Sequence, residues 1–137
     1  MRIFSGDDAV LDVAAFVRAL AERYAIQAAV FDPWHAGQMA REWDQRGVLA
    51  VDFPQHDSNM IPASQALYDA IVEQRLVHPD DPHLNRHVAA AVARHGRRGW
   101  RIDKAERGEN IDGVIALCMA VQVAQARPEP VKLLGWI

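Results

Sequence analysis

The sequence predicts an α/β fold, an open and mostly parallel sheet flanked by helices, and three observations carry that expectation. Ile26 to Phe31 and Val48 to Phe53 are apolar runs too short for helices and too uniform for strands with one wet face. They read as strands buried on both sides, as in a parallel sheet. The stretch between them opens on Asp32-Pro33 and closes on Gly47, which spells a helix with an acidic cap, a proline at its first position and a glycine stop. A strand, a helix and a strand in that order make a βαβ unit, with parallel strands and a right-handed crossover.

The flanking elements follow in order. Val10, Val13, Val17, Leu20 and Tyr24 recur at helical spacing behind Asp7 and Asp8, giving a helix over residues 8 to 24. The helix between the strands runs to about Arg46, and after the second strand Pro54 to Ile61 is polar and turn-rich. Pro62 then opens a helix with Leu67, Ala70 and Ile71 on one face, ending near Gln74, and Leu76 to His78 reads as a short extended piece. Pro82 starts another helix, with Leu84, Val88, Ala91 and His95 in phase, until Gly96 and Gly99 break it around two arginines. Trp100 to Ile102 reads as a third short strand and Asp103 to Glu109 as a charged loop. Asn110 caps a last helix from Ile111 to about Ala126, stopped by Pro128. At 137 residues the chain suits one domain over 1–137 with a tail at 128–137, since domains usually hold about 100 to 150 residues.

Composition removes several function classes. Hydrophobic residues make up 50% and charged residues 24%, an ordinary globular balance that leaves no disordered or fibrous tract. One cysteine, Cys118, lies in an apolar run, so a disulfide framework and a cysteine zinc site are both excluded and a buried thiol is expected. No apolar stretch approaches the roughly 18 to 20 residues of a membrane span, and Met1 to Gly6 lacks a signal pattern, so the expected address is the cytoplasm. A net charge of −3 argues against nucleic-acid binding through overall charge, leaving a local basic patch as the alternative. There is no GxxxxGK[ST] phosphate loop, hence no ATPase in these residues.

Two carboxylates stand where chemistry can happen. Asp32 follows a buried strand at its carboxyl end, the place where open α/β sheets carry functional groups, and Asp112 opens the last helix. By pattern alone each also reads as an ordinary helix-start acid, Asp32 as an N-cap and Asp112 as a charge favoured by the helix dipole. Asp52, Asp57 and Asp103 read as solvated strand-end or loop acids. Arg97, Arg98, Arg101, Lys104 and Arg107 gather positive charge just before Asp112, suited to phosphates or to a solvated loop. The histidines show no metal-ligand spacing; His83 and His87 lie four apart on one helix with no Glu or third ligand, and read as surface residues. Trp34, Trp43 and Trp100 read as core or rim aromatics.

The run Val30-Phe31-Asp32-Pro33-Trp34-His35-Ala36, then Gly47-Val48 and its strand, then the segment ending Leu76-Val77-His78, resembles the nuclease domain of phage terminase large subunits. Its most specific part is the closing block, Gly99-Trp100-Arg101-Ile102-Asp103-Lys104, a charged spacer, and Asn110-Ile111-Asp112-Gly113 leading into an apolar helix. The resemblance implies a partial ribonuclease H-like fold and an endonuclease that cuts concatemeric double-stranded DNA with Mg²⁺ or Mn²⁺. It further implies Asp32 and Asp112 as catalytic metal ligands and Lys104 as a supporting, DNA-binding cation. The family's acidic cluster has a further acid on a first strand, which nothing here matches. The expectation is therefore a chain without the ATPase domain and the first nuclease strands, catalytically incomplete alone. The terminase small subunit, the portal and an ATPase domain in trans are its implied partners. A nonenzymatic prophage remnant, or a DNA- or partner-binding fragment of the same fold, is the alternative. Another ribonuclease H-like enzyme, a transposase or resolvase, would share the acids but accounts less well for the Lys104 to Ala120 block.

Overall fold

A computed structural model describes residues 9–33, 43 and 48–126. The first helix, α1 (Ala9–Ala21), lies within the expected span. Strands β1 (Ala28–Phe31) and β2 (Leu49–Asp52) follow, and they pair parallel in the register Ala28 to Leu49 through Phe31 to Asp52. The Phe53 N–H donates to the Phe31 carbonyl at 2.8 Å, carrying the ladder one step beyond β2. The helix expected between the strands falls outside the described residues except for Pro33 and Trp43. Trp43 is buried and meets Phe31 edge to face, ring centres 5.8 Å apart at 73°. With Val48 these rings form one cluster, against which Val13 and Val17 of α1 pack. Helical spacing of those two valines therefore seats α1 on this side of the sheet.

The larger core lies on the other side of the strand pair. It joins Phe53 to Met60, Ala63 and Leu67 on α2 (Asp57–Val72) and to Val114, Ile115, Cys118 and Met119 on α4 (Asp112–Ala126). The spacings 60-63-67 and 114-115-118-119 are the one-face pattern of helices laid against each other. Met60 and Leu67 are essentially inaccessible, and each such side chain stabilises by about 1.5 to 3 kcal/mol through burial. Cys118 is the buried thiol that composition implies, and desolvation by burial pushes its pKa up to about 12.

Three expectations are corrected. Helix α2 starts at Asp57, so Pro62 lies inside it. Pro62 is exposed, where water can reach the carbonyl that its missing N–H leaves unpaired. The helix at Pro82, α3 (Pro82–Ala89), stops well before His95; its Asp81 cap accepts from the His83 and Leu84 amides at 2.9 and 3.1 Å. Residues expected to extend it, or to loop, form a hairpin instead. β3 (Ala91–Gly96) and β4 (Gly99–Lys104) pair antiparallel around Arg97-Arg98 as a sheet of their own, placing Asp103 in a strand. The tail at 128–137 lies outside the described residues.

The hairpin is bolted to α2 by polar contacts. Ser64, fully buried, accepts the Ile102 N–H at 2.9 Å, and the Trp100 indole N–H donates to Gln65 Oε1 at 2.9 Å. Gly99, at φ +137°, comes so close to α2 that a Cβ there would stand 3.0 Å from the Ile61 side chain. Among the described residues no helix is long and apolar enough to cross a membrane.

Candidate metal and nucleic-acid site

Asp32 leaves the sheet immediately after Phe31, at the carboxyl end of β1, and is half-buried. Strand alternation sets its direction: Val30 packs against the larger core while Phe31 packs on Trp43, so position 32 belongs to the Val30 face. That is the face met by α4, which packs against β1. Asp112 is the first residue of α4 and exposed, and its neighbours Ile111 and Ile115 contact the same core as Val30. The two acids thus depart from elements that meet across one core. Asp52, paired with Phe31, belongs to the opposite face from Asp32.

Carboxylates at such positions fit a hard divalent cation in kind, because Mg²⁺ and Mn²⁺ prefer oxygen donors. Among the described residues no group of three or more His, Cys, Asp or Glu side chains could hold a metal ion. The other acids near the hairpin have structural work: Asp57 pairs with Arg101 at 3.0 Å and Asp103 with Arg94 at 3.1 Å.

Lys104 ends β4 and is exposed, its amide held by its neighbour Asp103 at 2.8 Å. On the hairpin Arg94, Arg97, Arg98 and Arg101 surround a cavity of about 210 Å³ that reaches Asp57 and Ile61. Arg101 is anchored, donating to the Gln55 carbonyl and to Asp57, and its buried Nε has no partner among the described residues. Arg97 and Arg98 at the turn are exposed. The arrangement gathers four arginines on one hairpin of a chain whose net charge is −3.

His87 contradicts its surface reading. It is half-buried on α3, and its Nδ1 accepts the Gly113 N–H at 2.9 Å. It thereby satisfies one of the orphan amides at the start of α4, a role the sequence assigns to Asn110. The amides of Val114 and Ile115 bond to the Ile111 carbonyl. No local pattern betrays a cap that arrives from another helix.

The family described as "Terminase large subunit, endonuclease domain" matches residues 4–128. The chain belongs to the terminase large subunit endonuclease family. Two solved phage structures are similar to it. One is the large terminase of bacteriophage HK97, at TM-score 0.71 and 26% identity over 83% of this chain and 24% of that one. The other is the large terminase nuclease of the thermophilic phage G20c, solved with bound magnesium, at TM-score 0.64 and 23% identity over 82% of this chain and 60% of that one. The latter likeness speaks to fold alone. This terminase nuclease chain therefore spans about a quarter of the HK97 protein and three fifths of the G20c domain. No curated protein matches it. The ribonuclease H-like α/β fold that the family resemblance implies is the fold of these neighbours.

Proposed function

We propose that this chain is part of a divalent-metal DNA endonuclease module of a phage large terminase, acting in viral DNA packaging, with Asp32 and Asp112 as its ligands for Mg²⁺ or Mn²⁺. The family match over residues 4–128, which spans both acids, carries the reading. The carboxylates supply hard donors and countercharge, and their departure from elements meeting across one core supports a shared role. The magnesium in the G20c nuclease supports the choice of ion. Bound in pairs, such ions supply Lewis acidity and a template for in-line displacement at phosphorus. Lys104 and the exposed Arg97 and Arg98 meet the phosphates of double-stranded DNA, which fixes the duplex without reading its sequence. The small subunit, the portal and an ATPase domain in trans are the proposed partners, and the host cytoplasm the proposed location.

Two carboxylates are fewer than a two-metal cluster normally uses, so the isolated chain is expected to bind an ion loosely and to cut DNA weakly or not at all. The test is plasmid cleavage by the purified chain beside Asp32→Asn and Asp112→Asn, with Mg²⁺ and Mn²⁺ binding followed by calorimetry. Loose binding lost in either variant supports the site. Robust cutting that disappears in both would show that a third ligand is present, and cutting that survives both would end the assignment. A second reading, a nonenzymatic DNA- or partner-binding fragment of the same fold, rests on the exposed Arg97 and Arg98 at the hairpin turn. It predicts DNA binding indifferent to divalent ions.

A further inference from the structure

We infer that His87 is a positioning residue, whose acceptance of the Gly113 N–H fixes the first turn of α4 and with it the direction in which Asp112 presents its carboxylate. The inference rests on the reading of Asp112 as a metal ligand. The Val114 and Ile115 amides close this turn on the Ile111 carbonyl, and the Gly113 amide lies outside those bonds. Asp112 is exposed, and Gly113 has no side chain of its own to restrict its backbone. The bond from Gly113 to His87, 2.9 Å long and partly buried, ties that backbone to a different helix.

The other end of the tie is firm. α3 is capped by Asp81 and packs against α4, and the Ala90 amide closes its last turn on the Arg86 carbonyl at 3.0 Å. Because Nδ1 accepts, the ring hydrogen sits on Nε2, so the imidazole acts here as a neutral acceptor. The ring also borders a cavity of about 480 Å³ lined by Glu109 and Asn110, the residues that lead into Asp112. His87 thus borders the approach to the acid and holds the residue after it. Groups that orient a metal ligand typically change affinity by about 10 to 100-fold when removed; a tie through the backbone belongs at the lower end of that range.

The experiment is Mg²⁺ titration of the ¹⁵N-labelled chain and its His87→Leu, His87→Asn and Asp112→Asn variants, with the Gly113 amide resonance and thermal denaturation recorded on each. Leu keeps volume without an acceptor, whereas the Asn Oδ1 occupies the place of Nδ1. Expected is an affinity about tenfold weaker in His87→Leu, wild-type affinity in His87→Asn, and loss of binding in Asp112→Asn. The Gly113 amide should shift in the Leu variant and return in the Asn variant. Where His87→Leu does not fold, His87→Gln, with its acceptor one methylene further out, is expected to show the same weakening. Wild-type affinity in the Leu or Gln variant, beside lost binding in Asp112→Asn, overturns the positioning role alone. Unchanged binding in Asp112→Asn overturns the metal-site reading and this inference with it.

Discussion

Replacing Ser64 by alanine should loosen the hairpin from the body of the domain by a calculable amount. The Ser64 side chain is fully buried and its Oγ is the acceptor for the Ile102 N–H at 2.9 Å. In the antiparallel register Ile102 faces Ala93, and the Ile102 amide points away from β3, toward α2. Alanine leaves that amide without a partner in a partly buried place. An unsatisfied buried donor costs about 1 to 3 kcal/mol, more than the net worth of the hydrogen bond itself. For a chain of this size roughly 4 °C of midpoint is lost per kcal/mol, so Tm should fall by about 4 to 12 °C. Thermal denaturation followed by circular dichroism reads the shift, and hydrogen exchange at Ile102 reads its location. A Tm equal to the wild type, with unaltered exchange at Ile102, would refute the reasoning and show that other interactions hold the hairpin.

Met60→Ala should cost about 2 to 5 kcal/mol in urea denaturation, since Met60 is fully buried between α2 and its partners; a loss under about 1 kcal/mol would mean the core collapses around the gap. Gly99→Ala should destabilise by about 1 to 3 kcal/mol, because φ is +137° there and the new Cβ would meet Ile61 at 3.0 Å. Cys118, its pKa pushed up to about 12 by burial, binds its proton in the folded state where the unfolded thiol has lost it. Stability should therefore fall as pH rises from about 9 toward 12, and that slope should shrink in Cys118→Ala; labelling by a maleimide at neutral pH before denaturation would contradict it. Arg97→Ala with Arg98→Ala should weaken DNA binding equally across sequences and reduce the salt slope by about 1 for each phosphate no longer neutralised, an outcome read by fluorescence anisotropy at several salt concentrations.

Much of the fold is legible because apolar runs announce themselves. Ile26 to Phe31 lies between two cores, one around Trp43 and one around Met60, so both of its faces take apolar side chains, whereas on the second strand Leu49 and Asp52 are exposed. The hairpin is illegible for the opposite reason. Its residues are mostly exposed and carry little hydrophobic alternation, its turn is Arg97-Arg98 rather than a glycine pair, and Ala91 and His95 happen to continue the phase of α3. The start of α2 is missed because a proline usually marks a first turn, whereas Pro62 is tolerated further in on a solvated face. At the site, Asp32 and Asp112 stand out through position and family likeness. His87 does not, because its partner lies 26 residues away and a cap donated between helices leaves no periodic trace.

The place of α4 in the core governs when the protein can exist at all. Four of the eight residues that close the larger core, Val114, Ile115, Cys118 and Met119, belong to this last described helix. Until they are synthesised, Met60 and Leu67 lack half of the buried residues that close their core, and the Val30 side of the strand pair lacks the helix that covers it. Closure of the larger core must therefore wait until α4 has been made. During translation the earlier segments should behave as a sticky, unfolded client of chaperones, and a chain released before residue 114 should be found in aggregates or degraded instead of as a smaller folded domain.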